Sequence, residues 1–126
     1  MSDNITELNL IQLKKALQQA AMSADQQIAR LKGYDVSFEV ADDVYNWSRW
    51  ALESEKAKLT DEQRSGLIAL DTITAEMSGE RNAKLWTDDA LRSQPEWEKV
   101  RLQARKILES FQWPIEDKDD PGIEVI

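Results

Sequence analysis

"DVSFEVADDVYNWSRWALESEKAKL", residues 35–59, decides whether the chain is wholly helical or carries a strand. Val36, Phe38 and Val40 alternate as strand residues do, every second side chain falling on one face. Val36, Val40, Val44, Trp47 and Ala51 also recur at steps of three and four, the period of one helix face. The helical period covers the longer stretch, and Ser37 offers a hydroxyl to cap its first turn. A helix beginning near residue 37 or 42 and ending near 58 is therefore predicted.

Working outward, the preceding "ITELNLIQLKKALQQAAMSADQQIARLKG" (5–33) sets Leu10, Leu13, Leu17, Ala20, Ala24, Ile28 and Leu31 on one helical stripe. One long helix is expected there, stopped by Gly33, because glycine tolerates the left-handed conformation that follows many helices. A long coiled coil is disfavoured because the heptad fails at Gln27. Downstream, "LTDEQRSGLIALDTITAEMSGERNAKLW" (59–86) opens with Thr60 and Gln63 in capping-box spacing and carries Leu67, Leu70, Ile73, Thr74 and Met77 inward. Gly66 and Gly79 weaken this helix without forbidding it. Thr87 caps a short turn, Ser93 and Glu96 form a second capping box around Pro95, and "PEWEKVRLQARKILESFQW" (95–113) buries Trp97, Val100, Ala104, Ile107, Leu108 and Phe111. Pro114 ends it.

The predicted fold class is thus all-α, a compact bundle of about four helices over residues 1–113, followed by an acidic, flexible tail over 114–126. A chain of 126 residues with 41% hydrophobic residues suits one domain with one core. Its start, "MSDNITELNL", lacks a basic segment followed by an apolar run, and no stretch nears the roughly 18 apolar residues of a membrane span. No membrane contact is expected, and the cytoplasm is the default location. The absence of cysteine leaves the redox compartment open.

Composition also limits the chemistry. Without histidine or cysteine, the Ser-His-Asp triad, the Cys-His pair and the HExxH zinc site are impossible. The glycines fit neither GxGxxG nor a phosphate loop. Carboxylates pair at Asp42 and Asp43, Glu53 and Glu55, Asp88 and Asp89, and Glu96 and Glu98, but such neighbours diverge on a helix and read as solvated surface. In "DKDDPG", Asp117, Asp119 and Gly122 match a calcium loop until Pro121 occupies a ligand position, and the chain ends before the closing glutamate. No metal site and no cofactor are expected. The terminal "IEVI" has the form of a segment bound as a strand by a partner or by "VSFEV", although a frayed end explains it as well.

A net charge of -8 would repel a phosphate backbone, so direct nucleic-acid binding is not expected, whereas a basic protein would be attracted. The tryptophans sharpen that expectation. Trp47 belongs to the inward stripe, but Trp50 lies about 60° round the helix, beside Glu39, Asp43, Asn46 and Glu53. It is either a core-edge ring or an interface anchor in an acidic, polar rim. The expected function is a noncatalytic protein-binding module, an adaptor or toxin-neutralising inhibitor, using Trp50, Asp43, Asn46, Glu53 and Glu39. The alternatives are a small enzyme working through carboxylates and Mg²⁺, and a homo-oligomeric structural subunit.

Overall fold

The computed structural model describes residues 4–116. Among them are six α-helices: α1 (Asn4–Ala21), α2 (Ala24–Arg30), α3 (Val36–Glu53), α4 (Asp61–Glu76), α5 (Asp88–Ser93) and α6 (Pro95–Ser110). Two 3₁₀ turns, Glu55–Ala57 and Glu80–Leu85, complete the connections. No strand forms among the described residues. The chain is all-α, and its four long helices, α1, α3, α4 and α6, make the bundle. The calcium-like spacing, the terminal "IEVI" and the tail beyond Glu116 lie outside the described residues.

The ambiguous stretch is helix from Val36, one residue before Ser37. Asp35 is the N-cap, and the Ser37 hydroxyl donates to its carboxylate at 3.4 Å instead of capping the helix. The helix stops at Glu53, short of residue 58, because Ser54 turns extended and Lys58 adopts a left-handed conformation.

The single helix expected over 5–33 is two helices. Ser23 interrupts it by accepting from the Gln26 backbone while the Gln26 side chain accepts from the Ser23 backbone, a reciprocal cap that opens α2. The end of α1 is closed from elsewhere: Gln27 donates to the carbonyls of Gln19 and Ala20, and Arg105 to that of Ala21. The Gln19 carbonyl also accepts from the Met22 backbone N–H at 3.3 Å, whereas those of Ala20 and Ala21 lie in the last turn, beyond the helix's own donors. The Ser93–Glu96 capping box does not form. Pro95 forces the preceding residue into an extended conformation, so Gln94 takes the N-cap of α6, and the Ser93 hydroxyl donates back to Asp89 within α5. Thr60 and Thr87 cap α4 and α5 as their spacing predicts. At its far end α6 stops at Ser110, ahead of Pro114, where Gln112 turns left-handed and the Phe111 and Trp113 rings stack at 4.1 Å.

Around the bundle the long helices follow the order α3, α1, α6, α4. Gln19 reaches Asp43, and the turn after α3 returns to α1, so these two helices run antiparallel. The pairs Gln63 with Ser110 and Gly66 with Gln103 set α4 antiparallel to α6. Leu13, Leu17, Val40, Val44, Leu67, Leu70, Trp97, Val100, Ala104, Ile107 and Leu108 fill the space between them and are essentially inaccessible. Burying side chains of this size contributes about 1.5–3 kcal/mol each, which offsets the conformational entropy lost on ordering the chain. Trp97 anchors one end, donating to the Leu85 carbonyl with Trp86 packed edge-on at 5.3 Å. No described helix is long and apolar enough to cross a membrane.

One seam of this ring is loose. Helix α4 packs closely against α6 but meets α3 over a shorter contact. The facing residues explain the difference: α3 presents Ala41 and Asp42 together with Phe38 and Tyr45, whose rings stay about half exposed, and α4 with the turn after it presents Asp71, Thr74, Ala75 and Ser78. Small and polar side chains cannot interdigitate as the leucines of the core do, and a cleft remains.

Candidate functional site

The cleft between α3 and α4 has a volume of about 320 Å³. Phe38, Asp42, Tyr45 and Arg49 line its α3 wall at steps of four, three and four, which is one helix face. Asp71, Thr74, Ala75 and Ser78 line the opposite wall with the same periodicity, and Trp86 closes one side. Phe38 is 54% exposed and Tyr45 45%, so two large rings stand at the opening with much of their surface in water. Trp86 is held by its Nε1, which donates to the Met77 carbonyl at 2.9 Å.

Polar groups in the cleft are ordered by their neighbours. Arg49 lies over the Tyr45 ring, its guanidinium carbon 5.3 Å from the ring centre, and its Nη2 donates to the Tyr45 hydroxyl at 3.3 Å. That hydrogen bond is the first cause of a raised Arg49 pKa, to which the negative charges of Asp71 and Glu53 add. Asn46 donates to Asp42 at 3.3 Å. The hydroxyls of Thr74 and Ser78 donate to carbonyls within α4. Chemically, the cleft combines an apolar surface with carboxylates that can accept from a cation, while its hydroxyls are engaged and have no basic partner to activate them.

The expected binding residues form a neighbouring stripe on the same helix. Glu39, Asp43, Asn46, Trp50 and Glu53 follow one another at steps of four, three, four and three along α3. Asn46 and Glu53 are exposed, and Glu39 is half-buried. Asp43 is drawn toward α1, where it accepts from Gln19 Nε2 at 3.0 Å. Trp50 is half-buried and packs against the core from its border. Trp47, expected inward, is half-buried as well; Ser48, only 2% exposed, takes the innermost position, where a small side chain leaves room for the neighbouring helices.

No family model, curated protein or solved structure matches this chain. The site therefore rests on its own geometry. Among the described residues, no three carboxylates, histidines or cysteines gather closely enough to hold a metal ion. The paired acids Asp42 and Asp43 separate, one lining the cleft and the other bonded to α1. Phe38, Tyr45, Arg49 and Asp71 were not singled out by sequence pattern, although the period of residues 38, 42, 45 and 49 is present in the primary structure.

Proposed function

We propose that the protein is a noncatalytic binding module that takes a basic, partly apolar segment of another protein on the α3 surface. An apolar side chain of the partner enters the α3–α4 cleft against Phe38 and Tyr45, and its Lys or Arg side chains meet Asp42 and Asp71. The observation that carries this reading is the pair of half-exposed rings at the opening of a cleft that also holds two carboxylates. Large apolar surface presented beside charge is characteristic of interaction sites.

Charge supports the same choice of partner. Helix α3 carries Glu39, Asp42, Asp43 and Glu53 against Arg49 alone, a net charge of -3 on that helix. In a chain of net charge -8, this face would accelerate encounter with a basic surface and oppose nucleic acid. Glu39, Asp43, Asn46, Trp50 and Glu53 then form the rim on the α1 side, with the exposed part of the Trp50 ring contributing contact area.

The test uses a synthetic helical peptide rich in Lys and Leu, its counterpart with Glu in place of Lys, and the Phe38→Ser/Tyr45→Ser variant. That variant leaves every charge in place. Wild-type protein is expected to bind the basic peptide in a salt-sensitive manner, reject the acidic one, and lose most of its affinity in the double variant. Equal binding of the basic peptide by the double variant would mean that attraction is diffuse and the cleft is not the site.

A further inference from the structure

A second cleft lies at the end of the bundle where α1 turns into α2, and its character is opposite to that of the protein as a whole. It measures about 350 Å³ and is lined by Ser23, Ala24, Asp25, Arg92, Glu98, Arg101 and Arg105. Three guanidinium groups therefore share one cleft with two carboxylates, an excess of one positive charge in a chain of net charge -8.

Arg101 is the unusual member. It is only 8% exposed. Its Nε donates to Glu98 at 2.9 Å and its Nη2 to the Leu91 carbonyl at 3.0 Å. The remaining nitrogen, Nη1, is buried without an acceptor. A buried donor on a charged group is costly to leave unpaired, and structures tolerate it chiefly where a ligand or water completes the bond. The flanking arginines are fixed in place: Arg92 donates to Asp25 at 3.0 Å, and Arg105 places two nitrogens on the Ala21 carbonyl.

We propose that this cleft binds the carboxylate group of a small organic acid, with Arg101 as the central donor and Arg92 and Arg105 at its sides. A planar carboxylate matches the fork of a guanidinium. The charge count selects the same class: one carboxylate neutralises the cleft, whereas a doubly charged phosphate would leave excess negative charge beside Asp25 and Glu98. The cleft's volume suits a small molecule rather than a folded partner. Asp25 and Glu98 act as positioning residues that hold two of the guanidiniums apart.

Propionate, a monocarboxylate, and inorganic phosphate are the probes, titrated at constant ionic strength while arginine side-chain and backbone resonances are followed by NMR. Propionate is expected to give saturable shifts concentrated at residues 23–25, 92 and 101. Arg92→Gln and Arg105→Gln, both at exposed positions, should each weaken it about tenfold, the effect of one charged hydrogen bond. Arg101→Lys, which keeps the charge but loses the fork, should abolish the shifts while circular dichroism remains that of the wild type. Shifts that never saturate, or unchanged affinity in the Arg92 and Arg105 variants, would overturn the site. Tighter binding of phosphate than of propionate would overturn the assignment of a carboxylate.

Discussion

Gln27, in α2, donates through Nε2 to the carbonyl oxygens of Gln19 and Ala20, in α1, at 3.0 and 3.3 Å. A wholly buried amide thus supplies what the end of α1 lacks and folds α2 back against it. Gln27→Leu should preserve the packing volume and remove both bonds. Leaving a buried acceptor unpaired costs about 1–3 kcal/mol, and the loss of Gln27 Oε1, itself without a donor, offsets part of it. A destabilisation near 1 kcal/mol is expected in urea unfolding; unchanged stability would show that water replaces the amide.

The tryptophans should separate by burial. Trp97 is fully enclosed and bonded to the Leu85 carbonyl, so Trp97→Ala should cost about 3–5 kcal/mol. Trp50 is half-buried at the border of the core, and Trp50→Ala should cost clearly less. Denaturant midpoints measured at equal slope check the order. Equal losses would mean that Trp50 is a core residue with no surface role.

Gly66 sits where α4 approaches α6. A Cβ placed there would lie 3.0 Å from the Ile107 Cγ1 atom. Gly66→Ala gains about 1 kcal/mol in helix propensity, but crowding a packed neighbour costs about 1–3 kcal/mol. Ile107 is only 1% exposed and has little room to yield, so net destabilisation is expected. A raised thermal midpoint would show that α4 and α6 can separate slightly at no cost.

The long helices were legible in the sequence because leucines, valines and alanines at steps of three and four leave little choice of face. The break at Ser23 was hidden because Ala24, Ile28 and Leu31 continue the apolar rhythm of α1 across it. Only the Ser23–Gln26 spacing marks it, a signal of the same kind as Thr60–Gln63. At Ser93 the spacing misled, because the constraint that Pro95 places on Gln94 outweighs a capping box that pattern alone would allow. The acidic stripe containing Trp50 could be read from helical period. The cleft beside it could not, since it depends on how loosely α3 and α4 meet, and the arginine cleft gathers residues from α5, α6 and the α1–α2 turn.

Phe38 and Tyr45 lie mainly outside the core, so their removal should separate binding from folding. The most direct measurement compares immobilised wild-type protein with the Phe38→Ser/Tyr45→Ser variant in capturing partners from cells of the source organism, alongside the thermal midpoint of each. The variant loses the Arg49 contact on Tyr45 and the covered half of each ring, so a small fall in midpoint is expected, well below that of Trp97→Ala. A basic protein retained by the wild type and lost by the variant is the predicted result. Retention of the same protein by both would contradict the α3–α4 cleft as the proposed binding site.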